Sequence, residues 1–211
     1  MRTNTKSPNT EPPTMDEKGE ILLDIAGEAV RRAVLGVEDD GPPRAEPWLH
    51  EPGATFVTLR KEETLRGCLG TLAARRPLLE DLRSNARAVV ARDPRFPPVR
   101  ERELPDLSLE VSLLSPLVAV PCRTEAEALR ELRMNPCGWV LDYQGARGTF
   151  LPQVWEMLPR PRDFWARLKE KAGLREDFWD PKIQLWRYSV AKWVREKNAV
   201  SALKGPSDWS P

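Results

Sequence analysis

Apolar side chains recur every three or four residues in several segments of the chain, which predicts amphipathic helices. Proline or a capping residue begins some of these segments, and glycine or proline follows others, as helix ends favour. The predicted helices cover residues 16–36, 77–92, 124–134, 152–155 and 164–173. The first of them is expected to dock on the rest of the fold.

Alternating apolar and polar residues predict strands between these helices. The alternation is clearest at residues 107–114, where leucine and valine alternate with serine and glutamate, typical of a half-buried strand. Residues 55–59 and 65–72 lie on either side of a charged segment and predict a hairpin. Further strands are predicted at residues 138–143, 149–151 and 182–194, with a turn at residues 145–148.

Strands scattered among helices favour an α+β fold over a regular βαβ array. We predict mixed or antiparallel sheets flanked by helices. A length of 211 residues allows one domain with a smaller lobe. The domain is expected to span residues 16–196, between disordered tails at residues 1–15 and 197–211.

Charge and hydropathy bear on the partners of the protein. Lysine and arginine number 33 and aspartate and glutamate 32, so no strong field attracts nucleic acid or an anionic membrane. No segment approaches the roughly 18 consecutive apolar residues of a membrane-spanning helix, and the start has no apolar run typical of a signal peptide. We therefore expect a soluble, cytoplasmic protein that does not bind a membrane, and the balanced charge counts against nucleic acid as a partner.

The cysteines and the single histidine limit the possible chemistry. Cys68, Cys122 and Cys137 are an odd number at wide spacing, which argues against a disulfide framework. His50 is the only histidine, so a zinc site built from several histidines or a Cys-His nucleophile has little material. The sequence predicts no metal site.

The segment Leu-Arg-Gly-Cys-Leu-Gly at residues 65–70 is the main candidate for chemistry. Side chains two residues apart share a strand face, so Thr64, Arg66 and Cys68 are expected to lie together. A guanidinium beside a thiol favours the thiolate, which makes Cys68 and Arg66 candidate catalytic residues. A lone cysteine on a strand is alternatively a small buried apolar residue, and both interpretations stay open.

The glycines of this segment and a nearby arginine are candidate ligand-binding residues. Gly67 and Gly70 can permit the close approach of a ligand, a bulge or another backbone. Arg95 lies in a proline-stiffened loop, where it either presents a charge to an anionic ligand or forms a salt bridge. The candidate ligand-binding set is Arg66, Gly67, Cys68, Gly70 and Arg95.

Several blocks of the chain, in the expected order, resemble the AMMECR family and together cover about residues 20–194. The blocks are Phe56-Val57-Thr58-Leu59, Leu65-Arg66-Gly67-Cys68-Leu69-Gly70, Pro77-Leu78 through Asn85-Ala86, Asp93-Pro94-Arg95-Phe96-Pro97-Pro98, Leu109-Glu110-Val111-Ser112-Leu113-Leu114-Ser115-Pro116 and Thr149-Phe150-Leu151-Pro152-Gln153-Val154-Trp155. The chain departs from the usual pattern at residues 146–148, where relatives tend to carry another basic residue.

The resemblance implies a larger, helix-flanked sheet formed from both chain ends, a smaller lobe and a cleft between them. It implies that the Arg-Gly-Cys motif is the functional feature. The family includes AmmeMemoRadiSam system protein A, found beside a Memo-like protein and a radical S-adenosylmethionine (SAM) enzyme, which are the implied partners.

Two functional hypotheses follow from the resemblance and the motif. The first is a component of an AmmeMemoRadiSam-type modification system, with a cleft that binds a small-molecule ligand or transfers a group. The alternative is a non-catalytic adaptor or a nucleotide- or nucleic-acid-binding regulatory module. The resemblance identifies no cofactor, and whether the protein is an enzyme stays open.

Overall fold

The structure, a computed structural model, describes residues 13–38 and 41–197. Most of the two predicted tails lies outside these residues. The first helix, α1 (Met15–Val34), begins one residue before its predicted start, because Thr14 and Glu17 form a capping box. The Glu17 amide donates to Thr14 Oγ1 at 3.3 Å, and Glu17 Oε2 accepts from the Thr14 amide at 2.7 Å.

The larger lobe is a four-stranded antiparallel sheet against which two helices pack. Its strands run in the order β10-β5-β2-β3, so both ends of the described chain contribute, as the resemblance implied. Its core includes the fully buried Leu22, Leu59 and Leu82. The elements are α1, α2 (Leu78–Ala91), β2 (Thr55–Lys61), β3 (Thr64–Gly70), β5 (Leu107–Leu114) and β10 (Val190–Arg195), with a short pair formed by β1 (Pro52–Gly53) and β4 (Arg76–Pro77).

The smaller lobe is a second four-stranded antiparallel sheet, in the order β6-β9-β7-β8. Trp139, Phe164 and Leu132 are fully buried in its core. A third cluster, which includes Leu114 and Tyr188, joins the two lobes. The elements are β6 (Val118–Ala119), α3 (Glu125–Met134), β7 (Gly138–Tyr143), β8 (Ala146–Phe150), α4 (Val154–Met157), α5 (Pro161–Lys171) and β9 (Gln184–Tyr188).

The α+β class with antiparallel sheets is confirmed, and so are the hairpin, the strand at residues 107–114 and the main helices. The single last strand predicted at residues 182–194 is wrong, because the chain crosses from one sheet to the other at Ser189. The Ser189 amide donates to Ser115 Oγ at 3.0 Å, and the Ser115 amide donates to the Ser189 carbonyl at 2.9 Å. Strand β9 therefore belongs to the smaller lobe and β10 to the larger.

Three local predictions also need correction. The turn predicted at residues 145–148 lies at Gln144 and Gly145, whose φ angles are 53° and 91°. The helix predicted from Pro152 begins at Val154. Strand β5, predicted to be half-buried, is buried at six of its eight positions, and these include the polar residues Ser108 and Ser112. Among the described residues, no helix has both the length and the apolar character needed to cross a bilayer.

The β2–β3 hairpin turn is predicted to be a site for stabilisation. Glu62 and Glu63 have φ angles of 49° and 63°, a left-handed conformation that costs most side chains about 1 kcal/mol each. The double substitution E62N/E63G should raise the free energy of unfolding by about 1 kcal/mol, because Asn-Gly suits this turn. Urea unfolding measures the change. An equal gain in the control E62Q/E63Q would show that charge, rather than backbone strain, is responsible.

Candidate functional site

Strand β3 contains a β-bulge inside the Leu-Arg-Gly-Cys-Leu-Gly segment. Leu59 on β2 pairs with Gly67, but the next residue, Arg60, pairs with Leu65. Arg66 is therefore an extra residue on β3, and the alternation of strand faces shifts at this point. The prediction that residues 64, 66 and 68 share one face is wrong: residue 64 pairs with Lys61 and residue 68 with Thr58, which lie on opposite faces of β2.

The Arg66 guanidinium binds a carboxylate rather than the cysteine. Its Nε donates to Glu103 Oε1 at 2.9 Å, and its Nη2 donates to Glu103 Oε2 at 3.1 Å and to the Pro98 carbonyl at 3.3 Å. This hydrogen bonding holds the pKa of Glu103 below its ordinary value of 4.5. Only 13% of the Arg66 side chain is exposed. Arg66 thus fastens the segment before β5 to β3.

The two glycines of the segment are explained by close packing. A Cβ atom on Gly67 would lie 3.0 Å from Val89 Cγ2 and 3.1 Å from the Val89 carbonyl oxygen of α2. A Cβ atom on Gly70 would lie 2.4 Å from the Phe56 ring and from the Thr55 carbonyl oxygen. The sequence analysis allowed a ligand, a bulge or another backbone to approach these glycines. The structure supports the close approach of neighbouring protein atoms.

Cys68 lies half-buried on β3, which is an edge strand of its sheet. Its sulfur accepts a hydrogen bond from Thr58 Oγ1 at 3.4 Å. Its amide donates to Asp93 Oδ2 at 2.9 Å, and its carbonyl oxygen accepts from Arg95 Nη2 at 3.2 Å. Two side chains from the loop after α2 therefore take the place of a further strand and cover the edge at Cys68.

Asp93 and Arg95 form a rigid pair. Arg95 donates from its amide and Nε to Asp93 Oδ1 at 3.1 and 2.9 Å, and from Nη2 to Oδ2 at 2.7 Å. The Asp93 side chain is 2% exposed, whereas that of Arg95 is 53% exposed. The Arg95 hydrogen bond, followed by that of the Cys68 amide, holds the pKa of Asp93 well below its usual range against the effect of burial. The buried Asp93 carboxylate therefore holds the exposed Arg95 guanidinium in a fixed position.

The cation that contacts Cys68 is therefore Arg95, through the Cys68 carbonyl oxygen, and not Arg66, which binds Glu103. The pKa of Arg95 is raised mainly by its hydrogen bond to Asp93, and the nearby Cys68 thiol adds to the effect. A guanidinium next to a thiol can bind an anionic group and stabilise a thiolate. Sequence reasoning missed Asp93 and Thr58, although the spacing Asp-Pro-Arg was a signal that an aspartate could orient the arginine.

The other two thiols and the histidine lie in different surroundings. Cys122 is buried and Cys137 half-buried in the smaller lobe, and burial raises the pKa of both thiols. His50 is exposed, with Nε2 3.0 Å from the Arg44 carbonyl oxygen. Within residues 13–38 and 41–197, no group of three or more His, Cys, Asp and Glu side chains could hold a metal ion.

Comparison with known proteins gives consistent matches over most of the chain. The sequence model for AMMECR1 matches residues 23–193. A protein of Methanothermobacter thermautotrophicus is 32% identical over 185 residues, which cover 84% of this chain and 94% of that protein. Protein Ta0236 of Thermoplasma acidophilum is 34% identical over 196 residues, 89% of this chain and 91% of its own length.

A solved structure has a similar fold. The crystal structure of the uncharacterized protein PH0010 from Pyrococcus horikoshii matches with a TM-score of 0.71 and 29% sequence identity. The match covers 85% of this chain and 92% of that chain. The two-lobed arrangement is therefore shared over nearly the full length of the solved protein.

Proposed function

The chain belongs to the AMMECR1 family, and on that premise we propose that it is a cytoplasmic component of an AmmeMemoRadiSam-type modification system. In this proposal, a cleft at Cys68 binds a ligand or accepts a group from it. A Memo-like protein and a radical SAM enzyme are its partners. The family resemblance supports the system and the partners, and the geometry around Cys68 supports the site.

The observation that carries the site is the contrast between Cys68 and the other motif residues. Arg66 is engaged by Glu103, Gly67 packs tightly against α2, and Gly70 leaves no room for a Cβ atom. The Cys68 sulfur instead lies half-buried and accepts a hydrogen bond from the Thr58 hydroxyl, and the Arg95 guanidinium binds the carbonyl oxygen of the same residue. Simple apolar packing does not account for these neighbours.

Each group has a defined role in the proposed chemistry. Arg95 binds an anionic group of the ligand and holds it beside the sulfur. Transfer would form a bond from the Cys68 sulfur to an electrophilic atom of the ligand and break the bond from that atom to its leaving group. The thiol proton would pass to the leaving group, so no oxidant or reductant is needed.

The adaptor function is favoured by one observation, the exposed and firmly oriented guanidinium of Arg95. An adaptor would use this charge for recognition and would not need the thiol. The variants Cys68→Ser and Arg95→Gln therefore separate the two functions in a pull-down with the Memo-like protein. If C68S retains binding and cellular function while R95Q loses both, the adaptor is correct and the group-transfer site is wrong.

Cys68 is predicted to be the most reactive of the three thiols toward iodoacetamide near neutral pH. Burial raises the pKa of the Cys122 and Cys137 thiols, whereas Cys68 lies on an edge strand with the Arg95 guanidinium bound to its carbonyl oxygen. We expect alkylation of Cys68 to be at least about tenfold faster than that of either control cysteine. Peptide mass spectrometry over a time course measures all three rates in one sample.

The source of this reactivity is tested with two arginine variants. Arg95→Gln should slow alkylation of Cys68, because the neighbouring positive charge is removed. Arg66→Gln serves as the matched control, since the Arg66 guanidinium binds Glu103. A wild-type Cys68 that reacts no faster than Cys137, or an equal effect of both variants on its rate, would rule out the nucleophilic role.

A further inference from the structure

A groove in the smaller lobe, lying between α3 and the start of α5, has a strongly basic lining. Its arginines are Arg130 and Arg133 from α3 and Arg160 and Arg162 from the segment that begins α5. All four are exposed. The lining contains one carboxylate, that of Asp163, which pairs with Arg160 at 2.7 Å. The chain as a whole has a formal net charge of only +1, so this concentration of charge is local.

The same groove has an apolar floor. Ala126 and Leu129 precede Arg130 and Arg133 by four residues each on α3, so these four residues form one stripe along the helix. Leu129 is partly buried against the core of the smaller lobe. The opposite side of α3 supplies the buried core residues. The outer stripe therefore combines an apolar strip with guanidinium groups at its edge.

We propose that this groove, the α3–α5 groove, docks an acidic amphipathic segment of a partner protein. Carboxylates on the segment would pair with the arginines, whose planar guanidinium groups bind carboxylates through two hydrogen bonds. An apolar side chain of the segment would lie on the floor formed by Ala126 and Leu129, as in helix-in-groove recognition. Nucleic acid matches the charge but leaves the apolar floor unused.

The proposal is independent of the Cys68 site. The groove belongs to the smaller lobe, whereas Cys68, Asp93 and Arg95 belong to the larger lobe. Loss of Cys68 reactivity would leave the groove intact, and loss of peptide binding would leave the thiol chemistry intact. Experiments can therefore contradict the Cys68 site without contradicting the groove, and the reverse.

The test uses the full chain and a fluorescein-labelled synthetic peptide of about 15 residues, with glutamate and leucine at helical spacing. Fluorescence anisotropy measures binding to the wild type, to R130E/R133E and to the control R75E/R102E. The control makes the same change in charge at exposed arginines outside the groove. We expect R130E/R133E to weaken binding at least about tenfold and the control to change it less than about twofold.

Additional measurements distinguish an acidic peptide from other ligands that the groove could bind. Circular dichroism checks that R130E/R133E is folded, and R130Q/R133Q replaces it if it is not. A peptide with glutamine in place of glutamate should bind at least about tenfold more weakly. The proposal is overturned if the acidic peptide does not bind the wild type, or if both double variants lose binding equally. Displacement of the peptide by lower concentrations of single-stranded RNA or tripolyphosphate would also overturn it.

Discussion

Replacing Asp81 with alanine is expected to lower the free energy of unfolding by about 3–5 kcal/mol, because it removes a buried carboxylate on which several groups converge. Asp81 Oδ2 accepts from the Thr55 amide at 2.9 Å, from Thr55 Oγ1 at 2.7 Å and from Asn85 Nδ2 at 2.9 Å. Asp81 Oδ1 accepts from Thr71 Oγ1 at 2.6 Å and from Arg76 Nε at 3.0 Å. The substitution leaves these donors without their partner.

This network fixes α2 against the strands that carry the candidate site. Asp81 is 1% exposed and joins the first turn of α2 to the start of β2 and to the segment after β3. Because the loop with Asp93 and Arg95 follows α2, loosening the helix should also loosen the covered edge at Cys68. We expect Asp81→Ala to increase hydrogen exchange at the Cys68 amide as well as to lower stability.

Urea unfolding of Asp81→Ala and of the control Glu80→Ala measures the effect. Glu80 is the preceding residue of α2 and is exposed, so its removal should change the free energy of unfolding by less than about 1 kcal/mol. A loss for Asp81→Ala no larger than that of the control would mean that the network contributes little to stability.

Local sequence patterns were sufficient to predict much of the fold. The hairpin, α2 and the strand at residues 107–114 follow from periodicity, proline and alternation over a few neighbouring residues. The capping residue of α3 was predictable for the same reason, since Thr124 Oγ1 accepts from the Glu127 amide at 3.2 Å, only three residues away. Interactions between residues within one helical turn depend on neighbouring sequence positions, so a local pattern can predict them.

The division of the last predicted strand was not predictable in this way. Alternation continues across Ser189, so the sequence shows no break between β9 and β10. The break comes from pairing with distant segments: Tyr188 pairs with Gly138 in the smaller lobe, and Val190 pairs with Leu114 in the larger. Which sheet a strand joins depends on long-range contacts that periodicity does not contain.

The candidate site shows the same limit. The position of Cys68 on the return strand of the hairpin was predictable from the sequence, but the neighbouring cation was assigned from strand alternation alone. The bulge at Arg66 and the Glu103 carboxylate, 37 residues further along, redirect that guanidinium. Arg95 reaches Cys68 from a loop 27 residues away. The assumption of a regular strand therefore led to Arg66 rather than Arg95 as the cation near Cys68.

Asp93→Asn is expected to lower the free energy of unfolding by about 2–3 kcal/mol near pH 7, because Asp93 is a buried carboxylate that binds a guanidinium and two amides. The substitution keeps one acceptor oxygen but removes the charge, and its new NH₂ group faces donors of Arg95 and Cys68. The candidate site should lose its covered edge along with this stability. Alkylation of Cys68 should then become sensitive to urea at concentrations that leave the wild type unaffected.

The pH dependence identifies the carboxylate as the cause. Because the folded-state pKa of Asp93 lies below the ordinary value of 3.8, its contribution is complete well above pH 3.8 and is lost as the pH falls through and below that value. The difference in stability between wild type and Asp93→Asn should therefore be constant near neutral pH and shrink in acid. Urea unfolding at several pH values measures it.

Asp177→Asn is the matched control for this prediction. Asp177 also binds an arginine two residues away, Arg175, through both carboxylate oxygens at 2.9 and 2.6 Å, but its side chain is 69% exposed. Solvent screens an exposed pair of this kind, so its loss should leave stability nearly unchanged at neutral pH. If Asp93→Asn behaves like Asp177→Asn, or if its deficit stays constant into acid, the buried Asp93–Arg95 pair does not hold the edge at Cys68.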